Sequence, residues 1–93
     1  MRATLNGHII AESEEIEVGA GYQYFPPSAT RMELLQKAPK TEADLDCPHS
    51  VQFYDVIVGG VRYERAAWSY EAPRPTLEHV GGWFGFWNEV EVA

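Results

Sequence analysis

Apolar and polar residues alternate with a period of two along most of the chain, the pattern of half-buried strands rather than helices. Residues 2–5 and 8–11 flank Asn6-Gly7, the dipeptide best suited to the two positive φ angles of a type I′ turn, so this stretch predicts a hairpin. Ile16-Glu17-Val18 alternates, Gly19-Ala20-Gly21 interrupts, and residues 22–25 resume the alternation. Pro26-Pro27 then stops strand pairing, because neither residue can donate to a ladder. The strongest strand pair is 51–58 with 61–68: β-branched and aromatic residues fill both arms, and Gly59-Gly60 joins them at hairpin length.

Helical signals are few. Residues 28–37 predict a helix, with Ser28 as its cap, Met32 and Leu35 spaced i, i+3, Leu34 beside them, and Pro39 forcing its end. Residues 40–46 are polar and predict a surface loop. Residues 71–75 carry two prolines and are extended or turning, and residues 76–80 suit one helical turn before Gly81-Gly82. Residues 83–92 alternate again, placing Trp83 and Trp87 on one face and Phe84 and Phe86 on the other, with Asn88-Glu89 set to bend them into a last hairpin. No repeat or linker divides the chain. The expectation is a single domain, residues 1–93, mainly antiparallel β with one or two short helices.

Composition narrows the function. Seven basic against 14 acidic residues give a net charge of −7, which argues against a binder of nucleic-acid backbones, since that affinity comes from clustered Lys and Arg. The acidity is spread over both halves and suits a solvated surface. No apolar run approaches the length of a membrane span, and Asn6, Gly7 and His8 interrupt any signal-peptide core, so a cytoplasmic location without membrane contact is expected. One cysteine, Cys47, rules out an internal disulfide and a thiolate-only zinc site. Phosphate loops, nucleophile elbows, H-E-x-x-H and C-x-x-C are absent, and neither a cofactor nor a resident metal is implied.

Four features carry chemistry. In Cys47-Pro48-His49, an extended backbone would set thiol and imidazole on one face, where the imidazole can favour a nucleophilic thiolate; the plainer reading is a buried Cys beside a surface His. Cys47, His49, His8 and His79 are also the only imidazole and thiol donors, a weak metal signal. Asp55 interrupts the apolar face of Val51, Phe53 and Ile57; it serves as a base, pairs with Arg62 or Arg65, or simply lies exposed at an edge. Arg31, close after Tyr24-Phe25-Pro26-Pro27, suits an anion clamp or an ordinary surface pair. Twelve aromatic residues, 13% of the chain, exceed what so small a core must hold, and a surplus of rings with polar tips suits a pocket rim or a subunit interface.

In order along the chain stand Arg2-Ala-Thr-Leu-Asn-Gly-His-Ile-Ile-Ala-Glu-Ser13, Tyr24-Phe-Pro-Pro27, Arg31-Met-Glu-Leu-Leu35, Thr41 through Cys47-Pro48, Phe53-Tyr54, Ala66-Ala-Trp-Ser-Tyr70, Pro73-Arg-Pro75 and Phe86-Trp87. Together these blocks resemble the domain of unknown function 427 family of small bacterial proteins, over essentially the whole chain. The resemblance implies a β-tent fold, in which two antiparallel sheets lean together. Members of that wider group bind zinc through four cysteines, reduce methionine sulfoxide or hold small ligands in aromatic cages; a single Cys removes the zinc here. The family is also labelled nucleotidyltransferase-like. Such a site needs carboxylates holding Mg²⁺ beside a phosphate cradle, whereas Asp44 and Asp46 stand in a polar stretch without glycines. Carried over residue by residue, the resemblance points to Tyr24, Phe25, Pro26, Arg31, Cys47, Pro48, Tyr54, Trp68 and Tyr70. One departure matters: the family's Lys-Gly pair before the strand is missing, and Cys47-Pro48-His49 runs straight into Ser50-Val51.

The leading expectation is therefore a module that binds a small polar ligand in an aromatic pocket of Tyr24, Arg31, Tyr54, Trp68 and Tyr70. The alternatives are an enzyme using Cys47 with His49 or Asp55 as base, and an interaction module, monomer or weak homodimer, with Trp83 to Trp87 as a sticky edge.

Overall fold

A computed structural model describes all of residues 1–93. The chain is mainly β. Strands β1 (Arg2–Leu5) and β2 (His8–Glu12) form the expected hairpin, with Asn6 at φ 48° and Gly7 at φ 81° making its turn. β3 (Glu17–Gly19) and β4 (Tyr22–Tyr24) form a second hairpin. β5 (Leu35–Lys37), β6 (Val51–Val58), β7 (Val61–Tyr70) and β8 (Phe84–Phe86) make a four-stranded antiparallel sheet in that order. β9 (Glu91–Val92) returns to pair with β1.

Two layers result. Phe25 and Phe84 exchange both backbone hydrogen bonds at 2.9 Å, which splices the β3–β4 hairpin onto the edge of β8. The larger layer thus runs β3-β4-β8-β7-β6-β5, and β2-β1-β9 leans against it. The main core lies between them: Ala3, Leu5 and Ile10 from the small sheet meet Phe25, Tyr54, Val56, Ala67, Phe84 and Phe86 from the large one. Strand alternation sends the neighbouring residues to the opposite face, where Tyr24, Val51, Trp68, Leu77 and Val80 are buried with Cys47, Phe53, Tyr70, Trp83 and Trp87 packed around them. Trp83 and Trp87 therefore do lie opposite Phe84 and Phe86, but against their own chain rather than as an exposed edge.

Several local expectations are corrected. Residues 28–37 do not form one helix. Pro27–Ala29 and Met32–Leu34 are separate 3₁₀ turns, and Leu35–Lys37 is strand. Between the two turns the backbone is extended: Thr30 bridges Ala11, and the Arg31 N–H donates to the Ile10 carbonyl at 2.8 Å, so tertiary pairing overrides helical spacing. The stretch 40–46 is not a plain loop. It holds a one-turn helix, α1 (Glu42–Leu45), started by a capping box in which Thr41 and Asp44 each accept the other's backbone N–H. The bend at Asn88 leads not to a hairpin with β8 but across to β1 in the other sheet.

Candidate functional site

The outer face of the large sheet carries an open cleft of about 290 Å³, lined by Tyr22, Ala43, Asp44, Cys47, Val51, Phe53, Trp68, Tyr70 and Trp87. Eight of these nine are hydrophobic. β6 and β7 supply the base, because their register sets Phe53 against Trp68 and Val51 against Tyr70. Tyr22 enters from the start of β4, Trp87 from just beyond β8, and α1 with the turn after it forms one wall.

The rings pack on one another: Tyr22 edge-on to Trp68 at 4.9 Å, Trp68 tilted against Trp87 at 5.0 Å and Phe53 stacked on Trp87 at 5.7 Å between centroids. The Trp68 indole fits because residue 85 has no side chain; a Cβ there would stand 2.6 Å from its six-membered ring. Tyr24 lies beneath, fully buried and edge-on to Trp68 at 6.0 Å.

One charged group joins this lining, and it is already matched. Asp44, 5% exposed, takes a two-pronged ion pair from Arg65, at 3.0 Å from Nη1 and 2.8 Å from Nη2. The pair holds the Asp44 carboxyl below its ordinary range, against the opposing effect of burial. The Arg65 guanidinium also lies over the Phe53 ring at 3.9 Å.

A bulge in the β6–β7 ladder aims that arginine. Pairing slips between Tyr54 and Val56, and Arg65 takes φ 53°, a conformation that L-residues rarely adopt. Side chains satisfy its displaced backbone groups: its N–H donates to Asp55 Oδ1 at 3.0 Å, and its carbonyl accepts from Trp87 Nε1 at 2.6 Å. Asp55 is thus 7% exposed rather than solvated at an edge, and its other oxygen accepts from Arg62 at 2.6 Å. Arg62 supplies the ion pair that the sequence offered as one of three roles for Asp55, while Arg65 adds only its backbone N–H. Asp44, expected in a solvated loop, is a buried anchor.

The expected site residues separate. Trp68 and Tyr70 line the cleft, as does Cys47, and Tyr24 underlies it. Tyr54 does not join them: it is buried in the main core, edge-on to Phe84 at 5.3 Å, and burial raises its hydroxyl's pKa. Arg31 is exposed at the second 3₁₀ turn, outside the cleft. His49 turns away from Cys47: residues 47–50 form a tight turn, the Cys47 carbonyl accepting from Ser50 N–H, and His49 Nδ1 accepts from the Arg74 backbone N–H at 3.0 Å. Its ring rests near Tyr70 at 5.4 Å. His79 is committed to the Val18 carbonyl at 2.8 Å, and no three His, Cys, Asp or Glu side chains gather as metal ligands. Tyr22, Phe53 and Trp87, which the sequence placed outside the expected ligand pocket, complete the aromatic lining.

Backbone strain concentrates around the same cleft. Of the five non-glycine residues with positive φ, Ala20, Ser50 and Asn88 stand within two positions of a lining residue, and Arg65 grips Asp44.

No helix is long and apolar enough to cross a membrane. No curated protein matches the chain. The family model for a domain of unknown function, DUF427, labelled NTP_transf_9, matches residues 1–93, and the chain belongs to that family.

Proposed function

We propose that this DUF427 member binds a small, neutral, planar molecule in the aromatic cleft. The observation that carries this reading is the lining itself: five aromatic rings and Val51 around a cleft of about 290 Å³, whose sole carboxylate is neutralised by Arg65. Concave, mainly apolar sites with a few fixed polar groups are where small molecules bury most of their surface. The Asp44–Arg65 pair also argues about charge. A ligand cation would have to compete with a guanidinium that already occupies both the Phe53 face and the carboxylate. An anion would meet the carboxylate and no free cation in the lining. A flat ring of low charge is left as the best match, which replaces the small polar ligand expected from the sequence.

Naphthalene, titrated into the protein while tryptophan emission is followed, tests this directly, since Trp68 and Trp87 both line the cleft. Saturable quenching that disappears in Ala43→Phe is the expected result. Ala43 is an exposed residue of the cleft wall, so the larger side chain plugs the site from the solvent side without touching the core. Quenching that is equal in the plugged variant, or no response either to naphthalene or to isosteric bicyclic heterocycles, would sink the reading.

A further inference from the structure

Two polar atoms beneath the cleft have no hydrogen-bond partner: the Trp68 indole Nε1 and the Tyr24 hydroxyl. Both side chains are almost wholly buried, Trp68 at 3% exposure and Tyr24 at 0%. They sit together. The Tyr24 hydroxyl lies near the Trp68 indole and the Tyr70 hydroxyl, yet no hydrogen bond of acceptable geometry joins them. Buried polar groups in folded proteins are overwhelmingly paired, so two neighbouring orphans in one aromatic cluster call for a specific explanation.

Their chemistry is one-sided. An indole N–H only donates, and a phenol donates as readily as it accepts. Burial pushes the Tyr24 hydroxyl well above its ordinary pKa, so it keeps its proton. The partner missing from this corner is an acceptor. Elsewhere in the same cluster the demand is met: the Trp87 indole donates to the Arg65 carbonyl at 2.6 Å.

We infer that the cleft selects planar molecules carrying a hydrogen-bond acceptor, which accepts from Trp68 Nε1–H and Tyr24 Oη–H: a ring nitrogen from one of them, a carbonyl oxygen from either or both. This rests on the proposed ring-binding function and names the substrate class within it. The acceptor reaches these atoms only when a ring swings aside, and Tyr22 supplies the moving part. It is 38% exposed, the one exposed ring of the cluster, and packs edge-on against Trp68 at 4.9 Å. It also follows a turn in which Ala20 and Gly21 both have positive φ. Exposed side chains of this kind change rotamer in picoseconds to nanoseconds.

The test compares isosteric bicycles: naphthalene, which has no acceptor, with quinoline and isoquinoline, which carry one ring nitrogen at different positions and are neutral at mildly alkaline pH. Hydrophobicity alone favours naphthalene. The expected result is that one azine binds at least about 5-fold more tightly than naphthalene, the worth of one ordinary buried hydrogen bond. That preference should shrink several-fold in Tyr24→Phe, which keeps the ring and removes the hydroxyl. Trp68→Phe should shrink it as well, and the Tyr24→Phe result stands alone if Trp68→Phe does not fold. Naphthalene binding as well as both azines, or a preference untouched by Tyr24→Phe, would overturn the acceptor inference while leaving ring binding intact. Failure of all three compounds to bind would overturn both.

Discussion

Arg65 and Asp44 are locked in a two-pronged ion pair that ties the one-turn helix α1 to the bulge of β7. Removing one partner leaves different debts. Arg65→Met strands a carboxylate at 5% exposure, whereas Asp44→Asn strands a guanidinium whose side chain is 34% exposed and can be hydrated. We expect Arg65→Met to destabilise by about 2 kcal/mol, short of the roughly 3–5 kcal/mol of a fully buried orphan charge, and Asp44→Asn by about half as much. Urea unfolding of both single variants and the double variant measures the difference and the coupling; equal losses would contradict the asymmetry.

The same pair sets an acid limb of stability. The folded-state pKa of Asp44 lies below its ordinary 3.8, so its contribution is complete above that value and is lost as pH falls through the depressed one. The stability gap between the natural chain and Asp44→Asn should therefore be constant near neutrality and close progressively below about pH 4. A gap independent of pH down to about pH 2 would show that packing, not charge, holds α1 in place.

Tyr24 behaves in the opposite sense. Its hydroxyl ionises, in the folded chain, far above the ordinary 10.0, so folding requires the proton and stability falls as pH rises past about 10. Tyr24→Phe removes an unpaired buried hydroxyl. It should be neutral to about 1 kcal/mol more stable at neutral pH and should flatten this alkaline loss, with Tyr54 supplying what remains. Denaturant midpoints at neutral and alkaline pH decide the matter, and a clear destabilisation at neutral pH would mean that the hydroxyl has a partner.

Gly85→Ala tests the seat of Trp68. The new methyl would stand 2.6 and 2.7 Å from indole ring atoms, too close for any real contact, on a strand buried on both faces. A loss of about 1–3 kcal/mol is expected, with a shift in tryptophan emission as the indole moves. An unchanged emission spectrum would show that the strand, not the ring, gives way.

Cys47 offers a reading of occupancy. It is half-buried in the cleft wall, so saturating naphthalene should slow its alkylation by iodoacetamide, and the protection should vanish in Ala43→Phe. Alkylation at the same rate with and without naphthalene would place the compound elsewhere.

Much of this architecture was legible in the sequence because it rests on local rules. Asn6-Gly7 and Gly59-Gly60 announce their hairpins, and strict alternation around Trp83 to Trp87 assigns those rings to faces. The site was legible only in part. Starting from the Gly59-Gly60 turn, unbroken pairing would set Phe53 opposite Ala66; the bulge shifts the register by two and brings Trp68 there instead. The shift preserves each residue's face, so the aromatic surplus could be anticipated while its partners could not. Arg65 adopts its positive φ without the glycine or asparagine that usually signals one. Asp44 read as polar loop because its partner lies 21 residues away. Arg31 sits on a segment whose spacing suits a helix but whose backbone is claimed by β2.

All three tryptophans lie on one side of the large sheet, with Tyr24, while the core between the two layers is built from Phe, Tyr54 and aliphatic residues. Intrinsic fluorescence is therefore a one-sided reporter, alert to the cleft and blind to the interior. Far-ultraviolet dichroism follows the strands of both layers. Melting curves from the two signals would superimpose if the chain comes apart as one cooperative unit. Were the emission to change first, the cleft face would be a separately melting skin over a core that persists without it.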